Sequence, residues 1–580
     1  MMSEAYRRLN SSLPDRRAPG AGAFASDARA LRAWAAALPM ANSEAASRRL
    51  LDGLRSLNRQ RLDGARRFEA LEILRGPLIQ LAASIEKRVI GTSFPLPPHK
   101  AELGALGMDF QGELATGYRA ALAELCAPNG AVPFLRGKRV TLAALRALQH
   151  AGEHLAKAYL IYRTPPTGAW RALHAAHGFI ASLRLDDRSI DRAADSGVNA
   201  REAYLHALLF ALANPYSHTQ REQVEILALA RALAPHCELH AGKPDRHEVR
   251  FDSDGDCGPG YVPEEENGQR DALALRLDAA LAFADGAIRN AGEGDRVAAM
   301  HMRGGKSLRI DACLLRRVVA GLRSRGTRSH VRLGGGYEMD TVLGLHDLHF
   351  VLAGGEDFES FMHRVRGQVI SLSDADLGAT WRATARSPGR AVRLRARVLD
   401  HGLGGYQLLW ERTGNGDSVH ARVGELVGLA LPGADSDSRS EWMIGVVRWL
   451  RIDDEGRVDA GIQLLARHAL PIGVRAAGHE GMPAIRGLLL AALDTRSALD
   501  YAALLVPTEV DRAAAALELS IPADQYGPPS PARIEQATSL RVIEASGTFQ
   551  HFAFAPYGGA VADAAAAASA VDALSTGTFA

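Results

Sequence analysis

The residues best suited to chemistry form a glycine-rich turn that follows a cluster of arginines. Arg382, Arg386 and Arg390 recur at every fourth position, and residues 392–398 then alternate apolar side chains with arginine. This alternation predicts a β-strand with one buried and one cationic face, which leads into the turn 400–405, of sequence DHGLGG. The guanidinium group of arginine forms paired hydrogen bonds to phosphate oxygens and to the guanine edge. A carboxylate accepts a hydrogen bond from guanine's amino group, and glycines let the backbone approach a flat ring. The pattern therefore predicts a site for a phosphorylated purine.

The turn and its arginines resemble the PilZ family, the small β-barrel receptors of bacterial cyclic di-GMP. The family signature is RxxxR, then a strand, then [D/N]xSxxG. Arg382 and Arg386 match the first part. Asp400 and Gly405 match the two ends of the second part, whereas Gly402 stands where the family has serine. The interval between the two parts is also short.

Two downstream segments extend this resemblance. Residues 442–451 contain GVVRW and residues 460–466 contain GIQLL, which are similar to the paired later strands of the family. The resemblance covers about residues 380–475, roughly a sixth of the chain. The RxxxR spacing also fits two later registers: Arg386 with Arg390, and Arg393 with Arg397.

The resemblance implies a role for each residue of the site. Arg382 and Arg386 are expected to hold phosphates and to stack on or bond to guanine, with Arg390 beside them. Asp400 is expected to accept from a guanine edge, and the glycines at 402, 404 and 405 to allow close approach. The ligand would lie on the outside of the barrel. Ordering of the segment that carries Arg382, Arg386 and Arg390, here called the arginine arm, would change the packing of the domains.

Each of these features also has a structural alternative. The turn 400–405 suits a simple hairpin, because glycine and aspartate dominate such turns. The arginines within 393–397 suit a solvated strand surface. Arg448, in the GVVRW segment, is predicted either to reach a phosphate or to pair with a carboxylate such as Glu425. A barrel that has lost its ligand would leave a scaffold that binds protein partners without nucleotide.

Other motifs do not support catalysis or metal binding. The acidic segment 252–256 begins like a calcium loop but has cysteine where glycine is needed. The segment 305–307, Gly-Lys-Ser, lacks the first glycine of a phosphate-binding loop. His346 and His349 have no evident third ligand nearby. With no GxSxG, HExxH or assignable triad, the sequence predicts a protein that is not an enzyme, with no metal and no cofactor besides the cyclic di-GMP ligand.

Composition indicates a multidomain chain without bulk nucleic-acid binding. The 580 residues exceed what one hydrophobic core supports. A net charge of +2 is too small to indicate bulk binding of DNA or RNA. The four cysteines are widely spaced, which is typical of reduced thiols. No apolar run approaches the roughly 20 residues that span a bilayer, and the N-terminus lacks a signal peptide. We therefore expect a cytoplasmic protein.

Periodicity and turn residues divide the chain into six segments. The N-terminal half has helical periodicity interrupted by proline and glycine, the middle is mixed, and the C-terminal part is β-rich. The predicted boundaries are 1–25 disordered, 26–240 helical, 245–365 mixed α/β, 366–478 PilZ-like barrel, 479–557 further β-structure and 558–580 a disordered tail.

The predicted fold class is α+β and multidomain. A helical bundle or stacked helical hairpins precede a mixed domain and a C-terminal antiparallel PilZ-like barrel with further β-structure. The predicted function is that of a signalling effector or adaptor that binds cyclic di-GMP. The helical half, which carries no catalytic motif, is predicted to bind an unidentified protein partner.

Overall fold

The computed structural model describes most of the chain, and it forms two compact units. The first unit comprises residues 1–92, 96–215 and 220–327, and the second comprises residues 93–95, 216–219 and 328–580. The residues described are 2–20, 24–189, 197–241, 249–260, 273–292, 296–324, 332–369, 391–411, 419–433, 442–478, 483–491, 501–510, 516–523 and 530–556.

Helices dominate the first unit up to residue 233. Acidic or amide side chains begin several of them: Asp27 and Asp63, for example, accept hydrogen bonds from backbone N–H groups of the first turn. The helices are α1 (Glu4–Ser11), α2 (Ala28–Ala36), α3 (Ser43–Asn58), α4 (Gly64–Val89), α5 (Pro98–Leu125), α6 (Gly137–Leu160), α7 (Ala169–Ser182), α8 (Ala200–Leu212) and α9 (Gln220–Leu233). Single-turn 3₁₀ helices occur at Pro215–Ser217, Ala234–His236 and Arg303–Gly305.

One face of α4 is apolar and explains how that helix packs. Leu71, Leu74, Leu78 and Leu81 are all buried, at the three- and four-residue spacing of one helix face. Ile79, which lies off this face, is exposed. The periodicity of the sequence therefore identifies the buried side of the helix.

A mixed region completes the first unit. Its elements are β1 (Glu238–Ala241), β2 (Val249–Phe251), β3 (Leu273–Arg276), α10 (Asp278–Asn290), β4 (Val297–His301), β5 (Ser307–Asp311) and α11 (Ala312–Arg323). Strand β3 lies between β1 and β2 in an antiparallel sheet, and β4 pairs with β5.

The described residues of the second unit form two helices and a long series of strands. Its elements are β6 (Leu333–Gly334), β7 (Glu338–Leu343), α12 (Leu345–Leu352), α13 (Phe358–Val369), β8 (Leu394–Gly402), β9 (Gly405–Trp410), β10 (Leu426–Ala430), β11 (Met443–Ile452), β12 (Val458–Ala466), β13 (Ala469–Ala476), β14 (Ile485–Ala491), β15 (Tyr501–Val506), β16 (Ala516–Ile521), β17 (Arg533–Ala545) and β18 (Gln550–Pro556).

Six of these strands close the first barrel. The order is β8-β7-β10-β11-β12-β9, and β9 returns to pair with β8, so that the sheet has no open edge there. The short strand β6 pairs with the C-terminal end of β8, at Asp400 and His401. Inside, the Trp410 indole donates to Thr341 Oγ1 (2.9 Å) and the Thr341 hydroxyl donates to the Leu394 carbonyl (2.8 Å), which ties β7, β8 and β9 together.

The second barrel has the closed order β13-β14-β15-β18-β17-β16. One apolar cluster joins it to the first barrel: Trp442 and Val446 of the first barrel pack with Leu488 and Phe549 of the second. Helix α13 lies against the second barrel, where Arg366 Nη2 approaches Glu518 Oε1 at 3.1 Å. The predicted α+β class is confirmed, with a helical N-terminal region, a mixed middle and β-structure beyond the PilZ-like barrel.

The described elements differ from the predicted limits in three places. Residues 1–25, predicted to be disordered, contain α1, because Tyr6 and Leu9 lie three residues apart on one buried helix face. Strand β7 belongs to the first barrel although it precedes residue 366, and β13 belongs to the second barrel although it precedes residue 479. The predicted tail 558–580 lies outside the described residues.

Within the described ranges, no helix is both long and apolar enough to cross a membrane.

Candidate ligand-binding site

The predicted glycine-rich turn is the hairpin that joins β8 to β9. Its register places His401 opposite Tyr406 and Gly402 opposite Gly405. Gly405 has φ +153°, and a Cβ added there would lie 2.9 Å from the Ile462 carbonyl carbon, with the carbonyl oxygen closer still. Position 405 therefore accepts only glycine, because its backbone presses against β12.

Asp400 lies just before this turn and is held by an arginine that the sequence did not indicate. The strand is irregular between Val398 and Asp400, and Gly334 of β6 pairs with Asp400 from the other side. Arg332, next to β6, donates from Nη1 to Asp400 Oδ1. Their side chains are 21% and 28% exposed, so the ion pair is partly shielded from water. No hydrogen bond to Asp400 Oδ2 comes from the residues that the structure describes.

Aromatic rings cover the same end of the hairpin. The His401 ring stacks on Tyr406 at 6.1 Å with an interplanar angle of 19°, and Tyr337 meets His401 edge-on at 5.8 Å. Burial raises the pKa of Tyr406. His401 Nδ1 is buried without a hydrogen-bond partner among the described residues. The hairpin thus carries an aromatic cluster around His401, whose Nδ1 is its one polar atom without a partner among the described residues.

Arg448 is occupied by a carboxylate of the second barrel. Its guanidinium forms a fork with Glu544, with Nη2 at 2.7 Å from Oε2, and its Nε donates to Gln463 Oε1 at 2.6 Å. Gln463 lies opposite Gly405 in the β9–β12 register. Of the two predicted alternatives, the structure shows Arg448 paired with a carboxylate, but the partner is Glu544 and not Glu425. Arg448 joins the two barrels close to the hairpin.

The arginines along β8 each contact a neighbouring acidic or aromatic side chain. Arg393 lies over the Trp442 ring at 5.7 Å, and Arg395 approaches Asp340 at 3.6 Å. Arg397 is 3.7 Å from Glu411. These contacts favour the interpretation of this face as a solvated, charge-balanced strand surface.

The arginine arm itself lies outside the described residues. Arg382, Arg386 and Arg390 all fall in the interval 370–390, between α13 and β8. The structure therefore describes Asp400, Gly402, Gly405 and Arg448 of the predicted site, and the roles of the three arm residues stay predictions.

The other motifs considered in the sequence have ordinary structural contacts. Asp256 accepts hydrogen bonds from the backbone N–H groups of Gly168 and Arg171 and so caps the start of α7. His349 is buried, with edge-on contacts to the rings of Phe358 and Phe361. Across the described ranges, no cluster of three or more histidine, cysteine or acidic side chains has the geometry of a metal site.

Two protein-family models match this chain. The first, described as "Cyclic-di-GMP receptor FimW, N-terminal domain", matches residues 29–245, and the second, "Cyclic-di-GMP receptor FimW, middle PilZ domain", matches residues 371–471. Together they cover more than half of the chain. The chain belongs to the FimW family. A relative from Pseudomonas aeruginosa, named "Cyclic-di-GMP receptor FimW", is 24% identical over 498 residues, which cover 77% of this chain and 78% of the relative.

Membership of the FimW family confirms the predicted PilZ resemblance. The PilZ match, residues 371–471, includes the arm and strands β8 to β12. It excludes β6 and β7, which complete the barrel and bring Arg332 to Asp400. Part of the surroundings of the candidate site therefore comes from sequence outside the PilZ match.

Proposed function

We propose that this protein is a cyclic di-GMP receptor that holds its ligand on the first barrel. The observation that carries the proposal is the coincidence of the PilZ match with a closed barrel whose β8–β9 hairpin contains Asp400 and Gly405, a position that only glycine fits. A P. aeruginosa relative that aligns along most of the chain is named a receptor for this nucleotide, which supports a receptor and not an enzyme.

The ligand contacts follow from the chemistry of the two sides of the site. Arg382 and Arg386, with Arg390 beside them, bind the phosphates and the guanine edge through charge-assisted hydrogen bonds. Asp400 Oδ2 accepts from the amino group of guanine. The backbone at Gly402, which has no side chain, lies against the base, and Gly405 contributes by holding the hairpin against β12.

Arg332 adds a positioning role that the PilZ signature does not contain. By donating to Oδ1, it fixes the Asp400 carboxylate and leaves Oδ2 to face a base. A carboxylate held at one oxygen loses less rotational freedom on binding, which favours recognition of one particular base edge.

Ligand binding also has a route to other parts of the second unit. The arm connects α13, which packs on the second barrel through Phe361 and Arg366, to β8 of the first barrel. A ligand that fixes the arm against the first barrel therefore acts on both barrels, and we propose that this changes domain packing.

A specific observation favours a second candidate function. Arg448 and Asp400, both predicted to contact the ligand, already bind Glu544 and Arg332. A barrel whose polar groups satisfy one another in this way suits a scaffold that binds protein partners without nucleotide. The departure from serine at Gly402 favours the same alternative.

The helical half is proposed to supply a partner-binding surface, and the protein is proposed to act in the cytoplasm. Helical arrays present extended docking surfaces. The first unit extends to residue 327 and includes β1, which pairs with β3. A deletion that tests the partner surface should therefore remove the whole first unit and should not end at residue 240.

Calorimetry with the full chain tests the proposal. Wild-type protein is titrated with cyclic di-GMP, and the double variant Arg382→Ala/Arg386→Ala is compared with Arg395→Ala as a control. Arg395 lies on the charge-balanced face of the same barrel, so its variant removes a cation without removing a proposed ligand contact. Saturable binding that only the double variant loses supports the receptor function. Absence of binding to wild type supports the scaffold alternative.

A further inference from the structure

The first unit has a loop that presents two large apolar side chains to solvent. Phe134 and Leu135, between α5 and α6, are 91% and 89% exposed. A hydrogen bond from Arg136 N to the Pro133 carbonyl (3.1 Å) closes a tight turn with Phe134 and Leu135 at its two central positions. Leu135 has φ +63°, a conformation that ordinarily selects glycine or asparagine. Neither packing nor turn preference therefore explains these two residues.

The chain around this tip is cationic. Arg136, Lys138 and Arg139 follow directly and are exposed. Arg188 lies alongside, with Nη1 3.3 Å from the position that a Cβ on Gly137 would take. In the described part of the chain, no carboxylate forms an ion pair with any of these four side chains. Four basic side chains without an ion-pair partner in the described residues therefore lie beside an apolar tip.

We propose that this segment, residues 133–139, here called the Phe134 loop, binds the surface of an anionic lipid bilayer. Apolar side chains at the tip enter the interface between headgroups and acyl chains, while the flanking cations remain at the level of the phosphates. This mode of binding is peripheral and needs no membrane-spanning helix.

The geometry favours a bilayer over an acidic protein. Anchors in protein interfaces lie at the centre of a patch whose surrounding contacts exclude water. In the Phe134 loop the apolar side chains project from a turn, and three of the next four residues along the chain are charged. A bilayer requires no matching pocket, so a small projecting tip is sufficient for reversible attachment.

Vesicle co-sedimentation with the full chain tests the proposal. Wild-type protein is mixed with vesicles of phosphatidylglycerol and phosphatidylcholine in equal parts, and separately with phosphatidylcholine alone. One variant, Phe134→Ser/Leu135→Ser, removes the apolar tip, and a second, Lys138→Gln/Arg139→Gln, removes charge. Leu431→Ser is the matched control, because Leu431 is also a highly exposed leucine but lies outside this loop. Thermal unfolding establishes that each variant remains folded.

We expect wild type and Leu431→Ser to bind the anionic vesicles and to bind the neutral vesicles much more weakly. Each loop variant should lower the partition coefficient roughly tenfold. Added salt should weaken wild-type binding. Absence of wild-type binding to anionic vesicles overturns the proposal and makes the loop a candidate for protein docking. Binding that both loop variants retain also overturns it, since the membrane contact would then lie elsewhere.

Discussion

Replacement of Gly405 tests whether the close contact of this glycine with β12 stabilises the first barrel. A Cβ at this position would lie 2.9 Å from the Ile462 carbonyl carbon and 3.1 Å from Gln463 Cα, both backbone atoms that cannot rotate away. Strand β9 must therefore separate from β12 at this point. Overpacking of this kind costs about 1–3 kcal/mol, and the strained backbone conformation of a non-glycine residue costs a similar amount. We expect Gly405→Ala to destabilise the barrel by about 3 kcal/mol and Gly405→Val by more.

Thermal unfolding measures this effect. For a unit of this size, about 3 kcal/mol corresponds to a fall in Tm of roughly 6–12 °C. The matched control is Gly334→Ala: Gly334 lies in the neighbouring strand β6, and a Cβ there would meet nothing within 4 Å. Gly405→Ala should also weaken cyclic di-GMP binding, because the hairpin beside Asp400 is distorted. A Gly405→Ala protein with the Tm of Gly334→Ala would refute the reasoning.

Three further predictions address the chemistry of the site and its barrel. Gly402→Ser restores the PilZ serine and should tighten cyclic di-GMP binding several-fold in calorimetry, since one hydrogen bond contributes about 1 kcal/mol; no gain would indicate that the pocket has lost its function. Arg332→Ala should reduce discrimination between cyclic di-GMP and cyclic di-AMP with little change in salt dependence, whereas a lower salt dependence with discrimination retained would make Arg332 a phosphate contact. Burial raises the pKa of Glu425 to about 7, so its contribution to stability is present below about pH 4.5 and is lost as pH rises through 7. Glu425→Gln should therefore raise Tm relative to wild type more at pH 8 than at pH 5, and an equal change at both would contradict the shifted pKa.

Local patterns predicted the local structure well. The segment 392–398, predicted to be a strand from its alternation, overlaps β8. Leu394, Ala396 and Val398 are buried there, and the intervening arginines are exposed. The glycines at 402–405 became a hairpin turn. Both outcomes depend on preferences within a few residues, and such preferences can be read from one sequence.

Contacts between distant segments could not be predicted in this way. Arg332 is 68 residues from Asp400, and Arg448 is 96 residues from Glu544. Each pair forms only because the barrels bring separate strands together, and no local pattern encodes that pairing. The addition of β7 to the first barrel likewise depends on its register with β8 and β10. Tertiary pairing therefore determines which polar groups of the candidate site are already occupied.

Calorimetric titration of the full chain with cyclic di-GMP tests the central claim most directly. We predict saturable binding to wild type and to Arg395→Ala, with affinity at least roughly tenfold weaker in Arg382→Ala/Arg386→Ala, because each charge-assisted bond contributes about 1.5–3 kcal/mol. Binding to wild type should weaken as salt rises. An absence of heat on titrating folded wild-type protein, or equal affinity for wild type and the double variant, would contradict the account.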